Sequence, residues 1–304
     1  YLRPRDSRRR SMMFARASLL VCCACALSAG EPQVRRVYFS ALDGNGAAVT
    51  DLTAADFVVK EGGNERQVIK AEPAIARLQI AILVDDNGTG LFRVPVARFI
   101  ESLLGRAEFA VSTVTGQTHK LVDYTSDTRA LSEAVGKLIP GPATNDGGQL
   151  LEGISETAVD LVRRRAGRPV IVVLTVGGEE HSTVSAHQVL DQLRESGASL
   201  HVVAVVGSTL RPTVAPRTPA AMLDTNLNLS EVLGDGPKRS GGHREEIGAI
   251  AGALTGLQRL ADLLKQQYVI EYARPEGVKP SDRLNISVKR RGVTLRAPTY
   301  IPDK

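Results

Sequence analysis

The stretch Leu78–Gly90, LQIAILVDDNGTG, decides the reading of this chain. Its apolar half runs almost without interruption to Val84 and stops at Asp85-Asp86, where a short polar loop begins. An apolar run that does not alternate marks a strand covered on both faces, and such strands belong to parallel sheets flanked by helices. Open parallel sheets place their ligand sites just beyond the carboxyl ends of the strands. Asp85, Asn87 and Thr89 therefore fall where such a fold carries its chemistry, and all three offer oxygen atoms suited to a hard cation such as Mg²⁺.

The segments that follow repeat the alternation of strand and helix. Helices are expected near 93–104, 127–138, 148–165 and 185–196, and strands near 107–113 and 118–124. Arg168–Val176 (RPVIVVLTV) and Ser199–Val206 (SLHVVAVV) read as two further buried strands. The expected fold class is α/β, a doubly wound and mostly parallel sheet flanked by helices. Residues 31–75 read instead as a small β segment: Val34–Leu42 is strand-like, Asp43-Gly44-Asn45-Gly46 is a hairpin turn, and Phe57–Lys60 and Gln67–Lys70 flank a second turn. The closing stretch, 274–304, holds two alternating strands without intervening helices, which are expected to pair with the N-terminal β segment as a small appendage. Between them, 76–273 forms the α/β domain. Within it, 208–242 breaks the rhythm with Pro, Thr and Gly and reads as an irregular excursion, followed by a long helix near 244–266.

The overall formal charge of +5 resides in residues 1–30, which hold six arginines and one aspartate. Residues 31–304 are formally neutral, so the basic isoelectric point argues for no nucleic-acid partner. Within 1–30, Arg16, the apolar Ala17–Leu27 and the small Ser28-Ala29-Gly30 follow one another in the order of a signal peptide. The stretch before Met12 is expected to be an upstream extension. The apolar core is shorter than a bilayer span, so an exported protein with no integral membrane segment after signal removal is expected, in the periplasm, at the cell surface or outside the cell. All three cysteines (Cys22, Cys23, Cys25) lie in this leader, leaving the remainder without a thiol ligand or disulfide.

The order of several motifs resembles the von Willebrand factor A (VWA) family, in the VWFA-related type of exported bacterial proteins. These are VTDLTAADFVVKEGG (Val49–Gly63), LQIAILVDDNGTG, ATNDGGQLLEGISE (Ala143–Glu156), VIVVLTVGGEE (Val170–Glu180), SLHVVAVVG (Ser199–Gly207), SGGHR (Ser240–Arg244), QQYVIEY (Gln266–Tyr272) and the closing ISVKRRGVTLRAPTYIP. The resemblance implies a metal-ion-dependent adhesion site at the top of the sheet. Its pattern begins Asp-x-Ser-x-Ser, adds a Thr from a later loop and ends on an Asp after an apolar strand. Here Asp85 stands at the first Asp, Asn87 and Thr89 replace the two Ser, Thr144 stands at the loop Thr, and Val176 replaces the last Asp. Losing that carboxylate removes charge and a water acceptor from a cation that demands near-octahedral oxygen ligation. Asp86, Asp146, Glu179 and Glu180 are the nearest replacement acids. The expectation is a degenerate site with no certain cofactor, Mg²⁺ being the one to test.

No Gly-x-Ser-x-Gly elbow, Walker A loop or His-Glu-x-x-His helix occurs, and the five histidines are scattered, so no enzyme activity is expected. The expected function is a non-enzymatic module that binds a protein partner through the strand-end loops. The competing readings are a Mg²⁺-dependent adhesion domain and a structural envelope protein that assembles through its β appendage.

Overall fold

The computed structural model describes residues 33–140, 148–206, 219–278, 281 and 283–302. The expected leader therefore lies outside the described residues, as do Thr144 and Asp146. The central sheet contains β5 (Leu78–Asp85), β6 (Ala107–Thr115), β7 (Gln117–Thr125), β8 (Pro169–Thr175), β9 (Ser199–Val205) and β10 (His243–Ile247), in the order β10-β9-β8-β5-β6-β7. All neighbours are parallel except β7, which returns antiparallel along β6. This is the doubly wound arrangement, and its winding reverses between β5 and β8.

The period-2 geometry of β5 and β8 splits their side chains between two cores. Ile80, Ile82 and Val84, with Val170, Val172 and Leu174, meet α1 (Arg93–Ser102), α2 (Thr128–Gly136) and α6 (Ala251–Lys265) on one face. Leu83, Ile171 and Val173 meet α3 (Leu150–Arg163), α4 (Ala186–Ser196) and α5 (Pro219–Arg239) on the other. Burying each such aliphatic side chain stabilises the fold by roughly 1.5–3 kcal/mol before entropy is counted. Two-sided burial explains the unalternated sequence of these strands.

The appendage is built from both ends of the chain, as expected. β1 (Gln33–Leu42) lies between β11 (Tyr268–Arg274) and β13 (Thr294–Arg296), and β4 (Val68–Pro73) extends the sheet beyond β11. β12 (Leu284–Val288), β2 (Phe57–Glu61) and β3 (Asn64–Arg66) form a second, three-stranded sheet. Phe39, Phe57 and Tyr268 make their common core, with ring centroids 5.2–6.0 Å apart. The turn after β1 closes as expected: the Asp43 carboxylate accepts the N–H groups of Asn45 and Ala47.

Three expectations need correction. The excursion at 208–242 is not irregular over its second half, where α5 runs for 21 residues. Its glycines disguise it, yet Gly236 lies so close to the core that a Cβ there would meet Leu200 at 2.9 Å. Val232 and Leu233 are buried beside it, and tertiary packing outweighs poor helix propensity. The helix expected over 244–266 starts only at Ala251, because His243–Ile247 is recruited as an edge strand by β9. Finally, β11 was grouped with the α/β domain but pairs with β1 and β4.

Candidate functional site

The sheet reverses its winding at the carboxyl ends of β5 and β8, and Asp85 and Thr175 close those two strands side by side. The Asp85 backbone carbonyl accepts the Val176 N–H at 3.0 Å, and its carboxylate accepts the Thr175 hydroxyl at 2.6 Å. Thr175 in turn accepts the Gly177 N–H at 2.9 Å, which turns the chain away from the strand. Asp85 is only 8% exposed. Burial pushes its carboxyl up to about 7; the Thr175 hydrogen bond opposes this, while the nearby charges of Glu180 and Asp86 add to it.

The next residues form a tight loop that satisfies most, but not all, of its own polar groups. Asp86 accepts the Gly88 N–H on its carboxylate, and its carbonyl accepts both the Thr89 N–H and the Thr89 hydroxyl, the latter at 2.8 Å. Asn87 adopts a left-handed backbone (φ 53°), a conformation that Asn tolerates better than most residues. Its Nδ2 and the Asp86 Oδ2 are buried without a hydrogen-bond partner. Gly178 approaches Asn87 closely enough that an added Cβ would stand 3.6 Å from that Nδ2.

Sequence reading treated Glu180 as spare charge, but it has a defined task. Helix α3 begins at Leu150, and Gln149 before it supplies no side-chain cap. The buried Glu180 carboxylate accepts the Leu150 and Leu151 N–H groups instead, both at 3.3 Å, and takes a third hydrogen bond from the Ser182 hydroxyl. A helix N-terminus leaves such donors unsatisfied and favours a negative charge. Burial nevertheless pushes the Glu180 carboxyl upward, against those hydrogen bonds. In the same first turn, Glu152 accepts the Thr183 N–H at 2.5 Å and its hydroxyl at 3.1 Å, tying the same loop down.

The described residues of these loops do not by themselves supply an open octahedral set of oxygens. Val176, at the position of the family's last Asp, is 3% exposed and belongs to the apolar core. The Thr89 hydroxyl is donated inward to Asp86, the Asp85 carboxyl is held by Thr175, and Glu180 is committed to α3. Among the described residues no group of three or more His, Cys, Asp or Glu is placed to hold a metal ion. His181 sits 3.4 Å from Glu179, and His187 pairs with Asp191 along α4. Asp85, Asn87 and Thr89 lie in one loop, whereas Thr144 lies outside the described residues. Thr175 escaped the sequence reading because it closes an apolar run and looks like strand.

No family model and no curated protein matches the chain. Solved structures of similar fold include a von Willebrand factor type A protein from Catenulispora acidiphila, at 11% identity and TM-score 0.46, covering 91% of this chain and 75% of that one. The conserved hypothetical protein BatB from Bacteroides thetaiotaomicron is 13% identical at TM-score 0.39, covering 62% of this chain and all of its own. The vWF domain of the type V pili tip protein Mfa5 from Porphyromonas gingivalis is 9% identical at TM-score 0.42, covering 62% and 95%. At such distances these likenesses carry no argument about activity. The strand order and directions of this chain are those of a doubly wound α/β sheet with one antiparallel edge strand.

Proposed function

We propose that this VWA-type chain is an exported, non-enzymatic binding module that engages a protein partner at the loops crowning the β5–β8 switch point. The carrying observation is how the polar groups there are used. Asp85, Thr175 and Glu180 are buried and satisfy one another or the start of α3, while Asn87, Thr89, Gly178 and Glu179 remain partly exposed around them. Such a rim is stiffened from below, and the partly exposed Asn87 and Glu179 give it polar contact groups. Recognition then rests on loop shape and hydrogen bonding, with little or no dependence on Mg²⁺. The formal neutrality of residues 31–304 favours a protein over a nucleic acid. No helix of the described residues is long and apolar enough to cross a membrane.

The test uses the chain as bait on envelope extracts of its source, with and without a chelator. A partner retained in the chelator and lost on Asn87→Ala with Glu179→Gln supports the reading. A partner that survives the double substitution removes the apex from the account.

A second reading has its own observation. β4 is the outer strand of the four-stranded sheet and exposes Ile69, which is 49% accessible. An apolar residue on an unpaired strand edge is a template for adding another chain. Assembly through that edge would be blocked by Ile69→Lys and left intact by the apex substitutions; sedimentation of the two variants separates the readings.

A further inference from the structure

At the opposite end of the sheet, where β9 and β10 begin, a cavity of about 520 Å³ opens between the α/β domain and the appendage. That volume suits a small organic ligand. His201 and His243 are register partners on adjacent parallel strands, so they project to the same side. His201 is buried at the cavity floor, with Nε2 3.3 Å from the Ser199 hydroxyl and Nδ1 without a partner; His243 is exposed at the rim. Across from them stands Arg296, which reaches in from β13.

The charges in this cavity are unevenly committed. Glu245 is bound to Arg259, one of its own neighbours on α6, and Asp262 is bound to Lys265 at 3.0 Å. Arg296 is partly buried and makes no hydrogen bond or close ion pair among the described residues; the more distant attraction of Glu245, which Arg259 already binds, is outweighed by burial. A guanidinium removed from water without a partner is costly, and it is the side chain best shaped to grip a carboxylate or phosphate. Burial and the crowding of positive charge both act on the histidines. Burial pushes His201 down to about 3, with His243 and Arg296 adding to the effect, and burial followed by Arg296 lowers His243. The same positive charge disfavours a metal cation at the two imidazoles.

We infer that this cavity binds a small molecule bearing an oxyanion, held by Arg296 from the appendage and by His243 from the central sheet. The anion supplies a close counter-charge to Arg296, beyond the distant one of Glu245, and, lying beside His243, adds to the pull of Glu245 against the burial and the Arg296 and Arg259 charges that lower that imidazole. Binding is therefore accompanied by proton uptake near the ordinary titration range of histidine. A site bridging the two units would also tighten their junction.

Titration calorimetry of the chain with inorganic phosphate and, separately, succinate tests this near pH 6.5, in two buffers of different ionisation enthalpy. Saturable heat is expected with at least one probe; phosphate alone points to a phosphate-bearing ligand, and succinate alone to a carboxylate. Arg296→Gln should weaken binding by roughly tenfold or more, as loss of a charge-assisted contact does. The probes themselves exchange protons at this pH, so His243→Gln should lower the proton uptake on binding relative to the parent chain with the same probe, and Arg98→Gln, an exposed arginine on α1, should change neither affinity nor uptake. Absence of saturable heat with both probes overturns the inference. Equal binding by a folded Arg296→Gln variant, checked by its thermal transition, does the same.

Discussion

The Thr175 hydroxyl donates to the Asp85 carboxylate at 2.6 Å across the one gap in the sheet where the winding reverses. Each residue is the last of its strand, and the bond locks the β5 and β8 loops into one piece. Because Asp85 is held near pKa 7 against about 4 in an unfolded chain, the folded state binds its proton more tightly. Its contribution to stability is therefore full below about pH 4 and is lost as the pH rises toward 7. Asp85→Asn keeps the uncharged form at every pH and can still accept from Thr175. Urea unfolding should show the variant equal to the parent near pH 4. At pH 8 it should be more stable, by at most on the order of 4 kcal/mol. A difference that does not change with pH would contradict a buried, proton-retaining Asp85.

Thr175→Val is the complementary experiment. It removes the donor to Asp85 and the acceptor of the Gly177 N–H, one buried and one part-buried hydrogen bond at one stroke. A loss of roughly 2–4 kcal/mol is expected. Thr175→Ser, which keeps the hydroxyl, should recover most of it. If valine and serine behave alike in denaturant, the hydroxyl is not what joins the loops.

Glu180 caps α3 from a position 30 residues downstream. Glu180→Ala should cost about 1–2 kcal/mol, the usual range for a lost cap. Its local signature is faster amide exchange at Leu150 and Leu151, with little change at the far end of the helix. Uniform acceleration along α3 would mean that the carboxylate supports the domain in some other way.

The central strands were legible because a strand buried on both faces writes that fact into consecutive residues, as Ile80–Val84 and Val170–Leu174 do. The signals that failed are those that depend on partners distant in sequence. β10, HREEI, contains nothing strand-like except its neighbour β9, and without that neighbour its charges read as a solvated helix. α5 carries Gly234, Gly236 and Pro237, yet Gly236 is what allows it to approach Leu200. At the apex, the ligand-type residues Asp85, Asn87 and Thr89 were visible as a local cluster. The duties of Thr175 and Glu180 were not, since each is defined by a hydrogen bond across the switch point or to another element.

The apex geometry also predicts the response to cations. With Val176 in the core and Thr89 donating inward, calorimetric titration with Mg²⁺, Mn²⁺ and Ca²⁺ should give no saturable heat and no rise in the thermal transition. Val176→Asp should not create a site at a stroke. It places a carboxylate among aliphatic side chains, and destabilisation of a few kcal/mol is expected before any metal is added. Saturable Mg²⁺ binding by the parent chain, abolished by Asp85→Ala, would show that the loops rearrange around a cation after all.

The appendage offers the sharpest energetic test, at Glu61 and Arg274. Both side chains are fully buried and form a two-pronged ion pair between β2 and β11, with Arg274 Nε 3.0 Å from Glu61 Oε2. Burial alone would raise the Glu61 carboxyl, but its hydrogen bond and attraction to Arg274 outweigh that and hold it below the usual carboxylate range. The pair joins the two appendage sheets, one of which is built from β11 and the other from β2. Glu61→Gln leaves the guanidinium buried without a counter-charge and should cost roughly 3–5 kcal/mol. Replacing Arg66 as well, as Glu61→Leu with Arg274→Met and Arg66→Met, removes the buried charges together, since Arg66 Nε lies 3.5 Å from the Glu61 carboxylate, and should recover most of that loss. A double-mutant cycle in denaturant measures the coupling. Additive losses would mean that each side chain is held by its other neighbours, and that the two sheets are joined by the aromatic core around Phe39, Phe57 and Tyr268 instead.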